Sequence, residues 1–311
     1  MPEQVIAHLD IQPAGTYIDM TVGSGGHARL ILQASAPTGQ LIAIDRDVQA
    51  LELARQQLAE FGQRVQFFQR RYSELPDVLA EAEVEQVDGI LIDTGISMDQ
   101  MLDIERGFTF RSHDSLDMRM DRRQKLTAHD VVNRYSQQQL YEVLKLTGRQ
   151  REARKVASRI VSSREGNGPI RTTAHLAELI AATIAGWSWG KHRNPAARYL
   201  MAIRVEVNDE LDELRLGLQV AVEALQSARG RLVVLTWAGH EHGLVRRELR
   251  RMQNPCTCPP ALPCSCGKQP LIKLVVDKPL SPDEAEVRRN PASRSCRLHA
   301  AQALGTSEQS G

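Results

Sequence analysis

The chain has 311 residues, of which 42% are hydrophobic and 25% are charged, values typical of a globular cytosolic protein. The 39 Lys and Arg residues nearly balance the 38 Asp and Glu residues, so net charge gives no sign of a nucleic-acid partner. Aromatic residues make up only 4% of the chain, which argues against RNA binding by base stacking as the main device.

The sequence shows no secretory signal and no uncharged stretch of transmembrane length. Four of the five cysteines are close together in sequence, which is not the spacing of a disulfide framework. We therefore expect a cytoplasmic protein. The sequence leaves open whether the chain pairs with a second copy of itself.

Apolar runs alternate with amphipathic helical patterns in the first third of the chain. Strands are predicted at residues 16–20, 40–45, 65–69 and 89–93, and helices at residues 27–34, 48–61 and 74–82. This order predicts an α/β fold with a parallel sheet and helices on both faces.

Three further strands are predicted at residues 231–237, 271–277 and 296–301, and the last two suit an antiparallel hairpin at the sheet edge. The stretch between the fourth and fifth strands has helical patterns only. We predict an inserted all-helical domain at residues 127–193 and a long returning helix at about 198–226. The sheet domain is then discontinuous, at residues 1–126 and 194–304, and residues 305–311 form a disordered tail.

A glycine-rich loop, DMTVGSGGH, runs from Asp19 to His27 between the first strand and the first helix. Glycines let the backbone turn sharply and approach a ligand, and the helix N-terminus supplies free N–H donors. The spacing is not the G-x-G-x-x-G pattern of dinucleotide binding, which argues against a nicotinamide cofactor. The alternative is a purely structural turn, with Asp45 capping the next helix.

Candidate ligand-binding residues follow the strands at one edge of the predicted sheet, where open α/β sheets bind their ligands. Asp45 would accept hydrogen bonds from both ribose hydroxyls of a nucleoside cofactor, and Tyr72 would pack against its adenine. Tyr72 could instead be a half-buried aromatic residue at a strand end. The full set at this edge is Gly25, Gly26, His27, Asp45, Tyr72 and Asp93.

Basic residues form two clusters. Arg151, Lys155 and Arg159 share one face of a helix in the predicted insertion, opposite an apolar face, and Arg198 follows. A second helix carries Arg246, Arg247, Arg250 and Arg251. Either cluster alone is more often a solvated face. Two clusters next to a cofactor cleft favour contacts with RNA phosphates.

Four cysteines have the spacing Cys-x-Cys-x5-Cys-x-Cys. Their thiolates could bind one zinc ion tetrahedrally, in a structural site without an open coordination position. The alternative is a loop of reduced cysteines without metal. The residues are Cys256, Cys258, Cys264 and Cys266.

Several segments together resemble the RsmH (MraW) methyltransferase family, whose members methylate N4 of a cytidine in small-subunit ribosomal RNA. They cover almost the whole chain: YIDMTVGSGGHARLIL, LIAIDRD, DGILIDTGIS, ERGFTFRSHDSLDMRMD, NPAARYLMAIRVEVNDEL, CTCPPALPCSCG and KPLSPDEAEVRRNPASRS. The resemblance implies a Rossmann-like class I methyltransferase sheet, S-adenosylmethionine as the methyl donor, and 16S ribosomal RNA or the assembling 30S particle as the partner. The donor contacts that it implies are Gly25, Gly26, His27, Asp45, Tyr72, Asp93 and Gln100.

Methylation of an exocyclic cytosine amine needs an acceptor for its N–H bonds, because the nitrogen lone pair is delocalised into the ring. Asp93 is the predicted acid/base residue. Asp117 is a second candidate, for which an internal salt bridge with Arg119 or Arg122 is the alternative. The Asp/Asn-Pro-Pro-aromatic motif of amino-methylating enzymes is absent from the sequence.

The chain departs from the family pattern in two segments on the side expected to face substrate. Arg149 and Gln150 stand where the family usually has two glutamates, and in residues 236–243 only Glu241 matches the usual pattern. A second function therefore stays open at this point: a catalytically weakened or retargeted homologue that acts as an RNA-binding or ribosome-assembly protein.

Overall fold

The computed structural model describes residues 1–110, 113, 115–184, 194–225, 230–259 and 265–305. The chain forms two compact units, which we call the sheet unit (Met1–Gly95 with Leu211–Gly311) and the helical unit (Ile96–Glu210). The helical unit begins earlier and ends later than the predicted insertion at residues 127–193. Of the predicted tail, residues 306–311 lie outside the described residues.

The strands of the sheet unit are β1 Thr16–Asp19, β2 Gln40–Asp45, β3 Val65–Gln69, β4 Gly89–Asp93, β5 Arg231–Thr236, β6 Ile272–Leu274 and β7 Arg297–Ala303. They form one seven-stranded sheet in the order β3-β2-β1-β4-β5-β7-β6. The first five strands are parallel, and β7 runs antiparallel to both of its neighbours. The predicted fold class and the edge hairpin are confirmed.

Strand β6 is shorter than the predicted 271–277. After Leu274 the chain leaves the regular ladder, yet the backbone N–H of Val275 still donates to the carbonyl oxygen of Ala300 (2.9 Å). Leu280 then exchanges two backbone hydrogen bonds with Leu298, each 2.9 Å long. Pairing to β7 therefore continues irregularly beyond the strand.

The helices, in chain order, are α1 Pro2–Leu9, α2 Gly26–Ala34, α3 Val48–Gln57, α4 Leu75–Glu81, α5 Met98–Leu102, α6 Ala128–Arg134, α7 Gln137–Leu144, α8 Gln150–Asn167, α9 Thr173–Thr183, α10 Ala197–Asn208, α11 Glu210–Ala224, α12 Gly239–Gln253 and α13 Glu284–Arg289. The prediction of one long helix at 198–226 was wrong. Asp209, with a φ of 51°, adopts the left-handed conformation between α10 and α11 and ends the first helix.

Alternate residues of the central strands bury opposite faces of the sheet, as expected for a sheet covered on both sides. One face packs with α1, α2 and α3 through Tyr17, Leu41, Leu91 and Val233. The other packs with α4, α11 and α12 through Ile18, Ile42, Ile90 and Val234.

The helical unit has its own core. Val131, Ile160 and Ile203, from three different helices, are fully buried in it. Leu116 and Met118, which precede helix α6, belong to the same core, so the unit extends well before residue 127. Among the described residues of the whole chain, every helix is too short or too polar to cross a lipid bilayer.

Candidate active site

The turn after β1 is held by its two neighbouring strands. The N–H of Met20 donates to the carbonyl oxygen of Leu91 and that of Val22 donates to Ile44, each at 2.9 Å. Gly25 has a φ of +96°, and a Cβ atom there would lie 3.3 Å from Cγ of Leu58. Gly26, the first residue of α2, has nothing within 4 Å of where its Cβ atom would be. The turn therefore presents an open cradle next to a helix N-terminus.

Asp45, at the end of β2, fastens this turn. The Gly23 N–H donates a 3.0 Å hydrogen bond to its Oδ2 atom, and the Asp47 N–H donates a 2.9 Å bond to its Oδ1 atom. Burial raises the pKa of the Asp45 carboxyl to about 6 despite these bonds. Each carboxylate oxygen has a further lone pair, so the group can still accept from two hydroxyls.

Asp19, at the end of β1, is a buried site residue that the sequence analysis did not select. The N–H and the hydroxyl of Thr21 donate to its Oδ1 atom at 3.0 and 3.3 Å. Burial, with repulsion from Asp93 and Asp45, raises the pKa of Asp19 to about 7. The available signal was an acidic residue that ends a buried apolar strand just before a glycine turn.

Asp93, at the end of β4, lies between an indole and an imidazole. Nε1 of Trp237 donates a 2.7 Å hydrogen bond to Oδ1 of Asp93, and Nε2 of His27 lies 3.8 Å from Oδ2. Burial raises the pKa of the Asp93 carboxyl to about 6, although the indole bond opposes this. The strand-end position of Asp93 was predicted, but its contact with Trp237 was not.

His27 is an uncharged imidazole with a free polar atom. Burial lowers its pKa to about 4, so the ring is neutral near neutral pH. Its Nδ1 atom is buried and has no hydrogen-bond partner in the described part of the chain. A buried polar atom without a partner is unfavourable, so a ligand that hydrogen-bonds it would relieve that cost.

Tyr72 is half-buried in the short 3-10 turn Tyr72–Glu74, directly after the third strand. The backbone of Gly217 in α11 comes so close that a Cβ atom there would lie 2.6 Å from Cβ of Tyr72. The Ser73 hydroxyl donates to the Glu213 carboxylate at 3.1 Å. Helix α11 therefore fixes the position of this turn, and the Arg46 guanidinium lies 5.4 Å from the Tyr72 ring centroid.

Glu241 joins the ends of β4 and β5. Its Oε2 atom accepts hydrogen bonds from the Thr94 hydroxyl (2.8 Å) and from the N–H groups of Trp237 (2.8 Å) and Ala238 (3.0 Å). Its side chain is 3% exposed, so these contacts replace water. Glu241 matches the family pattern, but the sequence alone assigns it no role in the site.

The predicted donor contact Gln100 and the second acid/base candidate Asp117, both in the helical unit, are engaged locally. Oε1 of Gln100 accepts the Ser97 N–H at 3.0 Å, in a capping box at the start of α5. Asp117 binds the Arg119 guanidinium through both carboxylate oxygens, at 2.7 and 2.9 Å. Although burial opposes it, these hydrogen bonds hold the pKa of Asp117 below its usual range. These contacts match the alternative interpretation of Asp117, an internal salt bridge with Arg119.

The basic cluster on α8 is exposed. Arg151, Lys155 and Arg159 lie opposite the buried face of the helix, and none of them pairs with an acidic group within the described residues. By contrast, the Arg164 guanidinium donates to the carbonyl oxygens of Val132 and Tyr135 at 2.6 Å and so stabilises the fold. Arg198 on α10 and the four arginines of α12 (246, 247, 250 and 251) are also exposed.

Three of the four clustered cysteines come together between α12 and β6. The sulfur atoms of Cys256, Cys258 and Cys266 all lie within 4.8 Å of one another. Cys264 lies outside the described residues. The fifth cysteine, Cys296, is buried at the start of β7, away from this group in sequence.

The strand order, the glycine turn and the acidic residues at three strand ends define a Rossmann-like class I methyltransferase. The chain belongs to the MraW methylase family, whose model matches residues 1–304. It is similar to the ribosomal RNA small subunit methyltransferase H of Geotalea daltonii, with 41% identity over 305 residues, 98% of this chain and 97% of that protein. The protein of the same name from Geobacter sulfurreducens is 42% identical, with 98% and 97% coverage. A solved S-adenosylmethionine-dependent O-methyltransferase from Thermotoga maritima matches with a TM-score of 0.42 and 12% identity, covering 97% of this chain and 64% of that one.

Proposed function

We propose that this protein transfers a methyl group from S-adenosylmethionine to N4 of a cytidine in small-subunit ribosomal RNA. The observation that carries the proposal is the edge of the sheet unit where the glycine turn meets the ends of two strands: the Gly23 N–H donates to the Asp45 carboxylate, and the Asp93 N–H donates to the Thr21 hydroxyl. The names of the relatives indicate the class of substrate, and the family resemblance indicates that N4 of the cytidine is the methylated atom.

The residues at this edge fit the methyl donor. Asp45 offers acceptors to a ribose diol, and the cradle at Gly25 and Gly26 leaves room for the amino-acid end. The free Nδ1 atom of His27 offers a further polar contact. Tyr72, fixed by α11, is the residue we assign to the adenine, and the contact of Gln100 stays a prediction. When bound, the donor supplies an electrophilic methyl group on a sulfonium centre.

Asp93 is the residue that we assign to the acceptor role. Its Oδ1 atom is held by Trp237, which leaves Oδ2 to accept an N–H bond of the target amine and so increase the electron density on nitrogen. As the N–C bond forms and the S–C bond breaks, the amine loses one proton, which Asp93 receives. Alignment of the two reactants contributes several kcal/mol, on the order of 7 or more in the best intramolecular cases. Asp117, engaged by Arg119, is the weaker candidate for this role.

The target base must leave its stack to reach the donor, which costs a few kcal/mol and requires contacts with the RNA backbone. We assign these contacts to Arg151, Lys155, Arg159 and Arg198, whose exposed cationic groups suit phosphates. Ribosomal RNA as substrate is consistent with the cytoplasmic location that the sequence predicts. A homodimer is a possibility that the sequence leaves open, and sedimentation equilibrium tests it.

The direct experiment is transfer of a labelled methyl group to small-subunit particles that lack the modification, followed by nuclease digestion and mass spectrometry. We expect N4-methylcytidine at one position with the wild-type protein and at least about a hundredfold lower rate with Asp93→Asn. Donor binding without any transfer by the wild-type protein would overturn the proposal. That result would favour the weakened or retargeted homologue.

We also propose that the clustered cysteines bind a structural zinc ion. Zinc–thiolate bonds of about 2.3 Å place tetrahedral sulfurs about 3.8 Å apart, a spacing that fits three sulfurs confined within 4.8 Å. Elemental analysis of the purified protein should give one zinc per chain, and Cys258→Ser should lose it. Cys296→Ser is the control, because that buried cysteine is not part of the group of sulfur atoms and its loss should leave the zinc content unchanged. If wild-type protein purified in the presence of added zinc contained no bound zinc, that result would contradict this proposal.

A further inference from the structure

We infer that Trp237 is a positioning residue for Asp93: its indole N–H holds one carboxylate oxygen so that the other faces the amine of the substrate. The inference rests on the proposed function, because it assigns Trp237 to the same methyl transfer. It concerns a residue for which the family resemblance gives no role.

The contact is built into the sheet. Asp93 pairs with Leu235 in the register of the parallel strands β4 and β5, and Trp237 follows Leu235 by two residues. The Trp237 backbone N–H donates to Glu241 at 2.8 Å, and its ring packs against the sheet core. The indole is therefore fixed before any ligand arrives, and its 2.7 Å bond to Oδ1 restricts rotation of the carboxylate.

The same bond favours the charged form of Asp93, which is the form that can accept an N–H bond. Burial opposes that charge, and the negative charges of Glu241 and Asp19 oppose it further, whereas the Met1 amino group favours it. Two further described groups interact with Asp93: the His27 imidazole, at 3.8 Å, and the Cys296 thiol, whose own pKa burial raises to about 12. Among the described side chains, Trp237 is the one whose hydrogen bond to the Asp93 carboxylate lowers its pKa.

Two variants remove the N–H and keep an aromatic ring. Trp237→Phe is the simple variant. Replacement of Trp237 by 3-benzothienylalanine, which has sulfur in place of the indole N–H, keeps the shape of the side chain and guards against misfolding of the first variant. Circular dichroism and donor binding check that each variant is folded.

The readouts are the pH profile of kcat for methyl transfer to small-subunit particles and the titration of Asp93 by carbon-13 NMR, with the signal assigned through Asp93→Asn. NMR is needed because the pKa values of Asp19 and Asp45 are raised to about 7 and about 6, into the range of Asp93. Loss of one charge-assisted hydrogen bond should lower kcat about tenfold and leave donor Kd within about twofold. The acid limb and the Asp93 titration should move together to higher pH, by about one unit.

A lower kcat without movement of the acid limb or of the Asp93 titration would overturn the inference. Packing of Trp237 or its stacking on the target base would then explain the effect of the substitution on kcat. Unchanged kcat in both variants would also overturn it. Failure of the proposed function is a different result, since the wild-type protein would then transfer no methyl group at all.

Discussion

The Thr94 hydroxyl donates a 2.8 Å hydrogen bond to Oε2 of Glu241, across a buried gap between the ends of two neighbouring parallel strands. The same oxygen accepts two backbone N–H groups at the start of α12, where the positive end of the helix dipole favours a negative charge. One carboxylate therefore sets the spacing between the strand that carries Asp93 and the strand that precedes Trp237.

Removing this carboxylate should destabilise the sheet unit. Glu241→Ala removes the acceptor of three donors, the buried Thr94 hydroxyl and two partly buried backbone N–H groups, and we expect the free energy of unfolding to fall by about 3 kcal/mol. Glu241→Gln should lose less, because its amide oxygen still accepts. Urea denaturation measures both. The control Asp212→Ala removes an exposed ion pair with Arg215 and should change stability by less than about 1 kcal/mol. Equal stability of Glu241→Ala and the control would contradict this role.

Gly217→Ala should disturb the position of Tyr72. The added Cβ atom would lie 2.6 Å from Cβ of Tyr72, so either α11 or the turn that carries Tyr72 must move. We expect a loss of about 1–3 kcal/mol in stability and weaker donor binding by calorimetry. Gly166→Ala on α8 is the matched control, since nothing lies within 4 Å of its Cβ position, and it should be neutral or slightly stabilising. Gly217→Ala binding the donor as tightly as wild type would argue against Tyr72 as a donor contact.

Asp19 makes the stability of the protein depend on pH in a defined direction. Because its folded-state pKa of about 7 lies above the usual 3.8, Asp19 ionises at lower pH in the unfolded chain than in the folded chain. The free energy of unfolding therefore falls as pH rises from about 4 to about 7, and it stays lower above that range. Asn cannot ionise, and its Oδ1 atom can still accept from Thr21. Between pH 5 and pH 8, Asp19→Asn should therefore gain stability relative to wild type by about 2 kcal/mol.

Chemical denaturation at the two pH values, with Asp77→Asn as an exposed control, measures this difference. A stability difference between Asp19→Asn and wild type that stays constant with pH would show that Asp19 is ionised in the folded protein.

The basic face of α8 should contribute salt-dependent RNA affinity. Arg151→Ala combined with Lys155→Ala removes two exposed charges, so binding to small-subunit RNA should weaken, and the slope of log K against log salt should decrease by about 1.5 to 2. Arg288→Ala combined with Arg294→Ala removes two exposed charges elsewhere and serves as the control. If both pairs changed the slope equally, the α8 face would have no special role.

Apolar periodicity was enough to predict the bounds of β2 and β4, which are buried on both faces, and also those of β3, an edge strand that is only partly buried. It could not reveal the break at Asp209, where apolar spacing continues through a residue in the left-handed conformation. Glycine and acidic residues at strand ends indicated the binding edge. The bond from Trp237 to Asp93 depends on the register of strands that are far apart in sequence, so no local pattern could predict it.

Donor binding tests the central claim most directly. Isothermal titration of the wild-type protein with S-adenosylmethionine should show one site per chain, and Asp45→Ala should bind at least about tenfold more weakly, because the ribose hydroxyls lose a charged acceptor. Glu52→Ala, an exposed acidic residue on α3, should bind like wild type. A wild-type protein that gives no heat and no shift in Tm with this compound would contradict the account.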